Sequence, residues 1–316
     1  MKNFAVTGVG GFVAPRHLKA ISDTGNRLVA ASDPHDSVGV LDRYSFDVRF
    51  FTEIERFDRH LEKLRRGPEA DRVHYVSICS PNYLHDAHIR LALRVGAHAM
   101  CEKPIVINPW NLDALEELEH ESGQTVNTVL QLRLHPSLVA LKQRLAAEPS
   151  ARQHEVCLTY ITARGAWYGT SWKGSEERSG GLVINIGIHL FDLMIWLFGP
   201  VVGCRLHQRE PERMAGFIEL ERARVQWLLS TRMTDLPFAP EPGVKTTFRS
   251  ITVDGREIEF SEGFNDLHTR VYQEMLEGRG FRIADARPSI ELTHRLRHAD
   301  VSKADAASRH PLLAKT

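Results

Sequence analysis

Along the first 130 residues, short β-rich apolar runs alternate with amphipathic stretches whose apolar positions recur every three or four residues. The runs predict strands at 4–7, 28–32, 48–51, 73–79, 98–101 and 125–130. The amphipathic stretches predict helices at 15–23, 54–66, 84–94 and 109–121, ended by Gly25, Gly67, Gly96 and Gly123. Six strands with intervening helices describe a doubly wound parallel sheet. After a transition helix at 136–147 the rhythm changes. An alternating strand at 155–162 precedes an apolar helix at 181–198, followed by strands at 203–208, 216–220, 225–231, 246–253 and 257–260 and helices at 265–277 and 288–301. The 216–220 and 225–231 pair is spaced as an antiparallel hairpin. The pattern is α/β: a first domain over residues 1–130, an α+β domain on an open, mostly antiparallel sheet over 131–301, and a polar, alanine-rich tail over 302–316 expected to fray.

Length and charge narrow the classes of function. At roughly 150 residues per domain, 316 residues suit two domains. The 40 Lys and Arg are balanced by 40 Asp and Glu, so the positive surplus that nucleic acid or an anionic membrane surface requires is missing. An anionic ligand must therefore be met by a few placed cations. Cys79, Cys101, Cys157 and Cys204 lack zinc-knuckle or redox spacing and read as reduced thiols of a cytoplasmic protein. No signal peptide is expected before the first strand. The apolar stretch 181–203 approaches the length of a membrane span, but Asn185, His189 and Asp192 interrupt it, so a lipid-facing helix is not expected.

Gly8-Val9-Gly10-Gly11-Phe12-Val13 falls between the first strand and first helix, where a dinucleotide-binding loop must sit. Gly8 permits a tight turn, Gly10 lets the backbone approach a pyrophosphate, and the helix start offers amides and a positive dipole end. Val13 stands at the third glycine position, so an ordinary β–α turn, or the similar loop of a methyltransferase, stays open. Asp33 ends the second strand about 25 residues on, where a carboxylate accepts hydrogen bonds from an adenosine ribose and repels a 2′-phosphate, favouring NAD over NADP; a solvated loop aspartate is the alternative. Ser80-Pro81-Asn82-Tyr83-Leu84-His85 and Cys101-Glu102-Lys103-Pro104 follow the fourth and fifth strands, at the sheet edge that binds ligands in such folds. His85 and His88 share a helical face, but with no third ligand evident no metal is expected.

In this order, Gly-x-Gly after the first strand, Ser-Pro-Asn-x-x-His after the fourth and Glu-Lys-Pro after the fifth resemble the Gfo/Idh/MocA oxidoreductases over nearly the whole chain. The resemblance implies a Rossmann domain that binds NAD, joined to an α/β domain whose open sheet faces the active site and mediates assembly into a dimer or tetramer. It implies cofactor contacts at Gly8, Gly10, Gly11, Phe12, Val13, Asp33, Ser80, Pro81, Asn82, His85, Glu102, Lys103, Gln131 and Trp172. The family's Asp-x-x-x-His pair falls on Asn185-Ile186-Gly187-Ile188-His189, with asparagine replacing aspartate. On a regular helix 185, 189 and 192 share one face, a polar stripe on a buried element. Oxidation of a sugar hydroxyl needs a base and a group that stabilises alkoxide charge. His189 is the candidate base, Lys103 the candidate holder of the hydroxyl, and Asn185 an orienting group. A satisfied core histidine is the alternative for His189.

Five stretches bring the chain closer to one subgroup of that family, the UDP-N-acetyl-2-amino-2-deoxyglucuronate 3-dehydrogenases of lipopolysaccharide and O-antigen sugar biosynthesis: 77–85, 158–168, 171–174, 185–189 and 260–268. The implied reaction oxidises the C3 hydroxyl of that nucleotide sugar with NAD, preparing a ketone for an aminotransferase, with 2-oxoglutarate as a possible cosubstrate that reoxidises NADH. Such a substrate carries about three negative charges. Arg164 and Lys173, beside Trp167, Tyr168 and Trp172, are the candidate contacts, with Lys103, Asn185 and His189; Arg178 lies nearby in the chain, and Gln131 and Arg133, which follow the sixth strand, are further candidates to approach the nicotinamide or substrate. A solvated loop whose aromatics pack at a subunit interface, another sugar or inositol dehydrogenase, and a non-catalytic NAD-binding sensor remain open readings.

Overall fold

The computed structural model describes residues 1–239, 246–258 and 266–315. They divide into two compact units, Met1–Leu134 with Asn265–Arg287, and His135–Phe264 with Pro288–Thr316. In the first unit the chain runs β1 (Asn3–Thr7), α1 (Ala14–Asp23), β2 (Arg27–Ser32), β3 (Arg49–Phe51), α2 (Ile54–Arg66), β4 (Tyr75–Ile78), α3 (His85–Arg94), β5 (His98–Cys101), α4 (Trp110–Ser122) and β6 (Val126–Thr128). The sheet order is β3-β2-β1-β4-β5-β6, and every pairing is parallel. Every residue of β1 is buried, as a central parallel strand covered on both faces requires. The order reverses between β1 and β4, so loops leaving their carboxyl ends open a crevice there. Of the glycines expected to end helices, Gly25, Gly96 and Gly123 have positive φ, whereas Gly67 leaves α2 extended.

The second unit carries α5 (Pro136–Ala146), β7 (His154–Thr162), α6 (Trp167–Thr170), α7 (Glu176–Ser179), a π turn at Val183–Gly187, α8 (Ile188–Phe198), β8 (Val201–Glu210), β9 (Arg213–Leu220), β10 (Ala223–Ser230), β11 (Thr247–Val253) and β12 (Arg256–Glu257). The sheet order is β12-β11-β7-β10-β9-β8. Among the described strands only β7 and β10 pair in parallel, so the sheet is mixed and mostly antiparallel, and β9–β10 is the expected hairpin. One face packs on α8, where Phe191 meets Trp227 edge-on at 5.2 Å. The segment Glu176–Phe198 is long and apolar enough to cross a membrane, yet 72% of its apolar window is buried inside the protein, as the core helix of this unit. Of the strand expected at 257–260, Glu257 falls in β12 and residues 259–260 lie outside the described residues, as does the 260–265 part of the 260–268 motif.

Two expectations are corrected. Helix α9 (Leu267–Leu276) was assigned by position to the second domain but belongs to the first unit, because Val271, Tyr272 and Met275 join the core formed by Phe4, Val6, Leu18 and Ile21. Helix α10 (Ile283–His298) begins in the first unit and runs on into the second. Over its described residues the tail is not frayed. Ser308 and His310 are buried, Gln226 donates to the Ala307 carbonyl at 2.8 Å, and Leu312 and Leu313 pack on Ile161, Ala215 and Leu228. The sheet face opposite α8, expected to be free for assembly, thus carries the chain's own C-terminal segment.

Candidate active site

The loop after β1 is built by close approach of backbone to backbone. Gly8 has φ +73°, and a Cβ there would lie 2.5 Å from Ser80 N and 2.6 Å from Cys79 C, so any other residue would push the loop off the end of β4. The Gly10 amide donates to Asp33 Oδ2 at 2.9 Å and the His35 amide to Asp33 Oδ1 at 2.9 Å. Asp33 therefore joins the glycine loop to the end of β2, where an adenosine ribose would lie. Gly11 closes the turn on the Gly8 carbonyl, and Val13, in helical conformation, caps α1 in place of a third glycine. Phe12 is 84% exposed, with Arg16 over its ring. Gln131 Oε1 is buried without a hydrogen-bond partner. A Cβ-free cradle, a carboxylate at the end of β2 and an orphaned acceptor after β6 fit a bound NAD.

The two proline turns are held by histidines. Ser80 Oγ meets His88 Nδ1 at 2.9 Å, and burial pushes the His88 pKa down to about 4. His85, expected at the cofactor, is instead fully buried: Nδ1 lies 2.6 Å from the Pro104 carbonyl and Nε2 2.8 Å from the Ser80 carbonyl, so it ties the two loops together. Burial lowers its pKa against the pull of those carbonyls. Pro81 opens the turn and Asn82 is buried in it. Lys103 follows this framework, joined to Pro104 by a cis peptide. Glu102 also turns inward, accepting from His17 at 2.9 Å and His268 at 3.2 Å. Arg133, expected to approach the nicotinamide or substrate, donates to Asp285 Oδ1 at 3.1 Å and lies over Phe281 at 5.6 Å.

In the second unit Arg164, Trp167, Tyr168, Lys173 and Asn185, among the expected substrate residues, lie close together. Lys173 Nζ lies 5.5 Å from the Trp167 ring centre and 5.4 Å from that of Trp172. Burial, and then the Arg164 guanidinium nearby, lower the Lys173 pKa. Among the described residues neither cation has a carboxylate in ion-pair range. Trp172, expected at the cofactor, sits with this cluster. Burial raises the Tyr168 pKa, and its hydroxyl accepts from Asn185 Nδ2 at 2.7 Å. Tyr160, under Arg249 at 5.2 Å, also influences Tyr168 and escaped sequence reasoning; its place on the α8 side of β7 was the available signal.

The regular helix expected through 185, 189 and 192 is replaced. Asn185 lies in the π turn and His189 in the first turn of α8, so the wider turn re-aims Asn185 towards Tyr168. Gly187 permits this: a Cβ there would lie 2.6 Å from Leu229 Cδ1 and 2.8 Å from Phe191. Asn185 and His189 are half-buried, whereas Asp192 is buried in the core.

A model of the NAD-binding Rossmann fold of the Gfo/Idh/MocA oxidoreductase family matches residues 2–129, and one of the C-terminal alpha/beta domain of that family matches residues 153–234. Two crystal structures of the WlbA (WbpB) dehydrogenase from Thermus thermophilus, one with NAD and alpha-ketoglutarate and one with NAD and UDP-GlcNAcA, are 50% identical to this chain. They cover 98% of it and 99% of their own chain, with TM-scores of 0.92 and 0.93. The curated D-glucoside 3-dehydrogenase of Escherichia coli (strain K12) is 30% identical over 128 residues, 39% of this chain and 35% of that protein, so the chain spans about a third of that relative's length. The glycine cradle, the two proline turns and both matched domains agree: this chain belongs to the Gfo/Idh/MocA family of NAD-binding oxidoreductases.

Proposed function

We propose that this chain oxidises the C3 hydroxyl of UDP-N-acetyl-2-amino-2-deoxyglucuronate (UDP-GlcNAcA) to the 3-keto sugar, and that 2-oxoglutarate takes the hydride back, becoming 2-hydroxyglutarate. The observation that carries this reading is the pairing of Arg164 and Lys173 beside three aromatic rings, with no carboxylate in ion-pair range among the described residues. Two neighbouring cations on a protein of zero formal charge repel each other until an anion joins them. A diphosphate or uronate supplies that anion, and Trp167, Tyr168 and Trp172 offer faces for a sugar or uracil ring. Further support is the 50% identity, over nearly the full length, with a dehydrogenase crystallised with NAD and UDP-GlcNAcA. Bound NAD supplies the hydride acceptor.

On this reading the residues divide the work. Lys103 holds the hydroxyl and stabilises the developing alkoxide with its ammonium charge, and His189 accepts the proton. Asn185, tied to Tyr168, orients the sugar or the imidazole but cannot stabilise an imidazolium by charge. The four free cysteines suit work in the reducing cytoplasm. The test is to incubate the purified protein with NAD, 2-oxoglutarate and a panel of UDP-sugars, glucosides and inositols, and to follow ketone by mass spectrometry as well as free NADH. Ketone from UDP-GlcNAcA at least a hundredfold faster than from inositols or glucosides is expected. The reverse preference, or NAD binding without ketone from any of them, would refute the reading.

A further inference from the structure

Beneath the Glu102-Lys103-Pro104 turn lies a chain of buried polar side chains that the proposed mechanism does not use. Ser77 Oγ is 2.6 Å from the Tyr272 hydroxyl, and Tyr272 is 2.7 Å from His17 Nδ1. His17 Nε2 is 2.9 Å and His268 Nε2 3.2 Å from the same oxygen, Glu102 Oε1. Glu102 Oε2 accepts the Lys103 amide at 3.3 Å. Ser77, Tyr272 and His17 are fully buried, Glu102 and His268 nearly so. The network joins four elements, β4, α1, the turn after β5, and α9.

Its protons can be assigned by elimination. An ionised carboxylate only accepts, so both Nε2 atoms donate to Glu102. His17, neutral, then accepts at Nδ1 from the Tyr272 hydroxyl, whose oxygen accepts from Ser77. Each donor in the chain is used once. Burial alone would push the Glu102 carboxyl up, but the two imidazole donors hold it well below the ordinary range. Burial keeps His17 neutral, and Cys79, Cys101 and Tyr272, which also feel Glu102, are pushed up by burial and stay protonated. Arg16 acts on His17, and Glu102 and Lys103 both act on the neighbouring His85 imidazole. The same three groups, His17, Glu102 and His268, lie close enough to hold a metal ion. Such an ion would have to displace both Nε2 protons from a network that is already satisfied.

We propose that Glu102 is a positioning residue: it clamps the Lys103 backbone and places a fixed negative charge beside that lysine, and His17, His268, Tyr272 and Ser77 keep the carboxylate ionised and aimed. This rests on the reading of Lys103 as the group that holds the substrate hydroxyl. Removing the charge while keeping the shape, as in Glu102→Gln, makes the lysine ammonium easier to deprotonate. The alkaline limb of the kcat pH profile is then expected to move down by about one pH unit. At neutral pH kcat falls about tenfold or more, with the Kd for NAD within twofold of the parent.

Glu102→Gln, His268→Gln, His268→Leu and Lys103→Ala are assayed as full-length protein for UDP-GlcNAcA oxidation, with NAD titrations alongside. His268→Gln retains a donor and restores most of the activity and the parent pH profile that His268→Leu loses; this pair keeps the test open if Glu102→Gln fails to fold. An unmoved alkaline limb in both Glu102→Gln and His268→Leu overturns the proposal. So does a loss of NAD affinity equal to the loss of kcat, which would make Glu102 a cofactor ligand. Stoichiometric zinc retained after dialysis against a chelator would make the cluster a metal site and overturn it as well. Full turnover by Lys103→Ala would instead refute the parent reading of the lysine, so the two failures are distinguishable.

Discussion

Replacing Gly8 by alanine tests whether the loop after β1 is held by close backbone approach or is an ordinary turn. Two costs can be separated. An L-residue at φ +73° costs about 1–2 kcal/mol. The added Cβ would also lie 2.5–2.7 Å from main-chain atoms of Cys79 and Ser80, at the end of a buried central strand that cannot rotate away. Overpacking of this kind costs a further 1–3 kcal/mol, roughly. The sum, about 2–5 kcal/mol, corresponds to a fall in melting temperature of about 5–15 °C for a unit of this size. Gly25→Ala is the internal control: its φ is +69°, but nothing lies within 4 Å of the added carbon, so only the first cost applies. Thermal denaturation and NAD titration of both variants are expected to show Gly8→Ala melting well below Gly25→Ala and binding NAD at least tenfold more weakly. Equal melting temperatures with unchanged NAD affinity would refute the cradle.

Other outcomes follow from the same geometry. Asp33→Ala removes the acceptor for the Gly10 and His35 amides, and is expected to weaken NAD binding about 10- to 100-fold while narrowing the preference over NADP, measured by fluorescence titration. Lys173→Met is expected to raise the KM for UDP-GlcNAcA about tenfold with kcat within twofold, and a double variant with Arg164→Ala should lose less than the product of the single effects. His310 tests the ordered tail. Its Nδ1 accepts from the Leu312 amide, and burial holds its pKa at about 4, below the 6.5 of an unfolded chain. The unfolded chain therefore takes up the proton first, so the stability is present above pH 6.5 and is lost as pH falls towards 4, by up to about 3 kcal/mol. His310→Gln should flatten that part of a stability-against-pH curve from chemical denaturation, leaving the contributions of the other buried histidines, His88 with a pKa also about 4 and His17 and His85, lowered by burial; an unchanged slope would contradict the assignment.

What could be read in the sequence was local. The strand and helix periodicities, Gly8 and Gly10 between β1 and α1, and Asp33 at the end of β2 each depend on neighbours in the chain, and the parallel order followed from their alternation. What escaped depends on distant partners. Nothing near position 268 signals that His268 and Tyr272 meet Glu102 and His17 in the first unit. The π turn at Val183–Gly187 arises where Gly187 is pressed against Leu229, more than forty residues away, so spacing alone suggested a regular helix and a shared face. His85 and Arg133 looked like ligand contacts because charged or polar residues at a sheet edge usually are. Here His85 bridges two loop carbonyls, and Arg133 is held by Asp285 and Phe281. The cluster of Arg164, Trp167, Tyr168, Trp172 and Lys173 was legible because its members lie within ten residues of one another.

The most direct test of the proposed chemistry follows one atom. UDP-GlcNAcA carrying deuterium at C3 is incubated with the enzyme, NAD and 2-oxoglutarate, and both products are analysed by mass spectrometry. The deuterium is expected to leave the sugar as C3 becomes a ketone and to appear on C2 of 2-hydroxyglutarate. Deuterium retained in unreacted sugar, with no labelled 2-hydroxyglutarate, would contradict oxidation at C3.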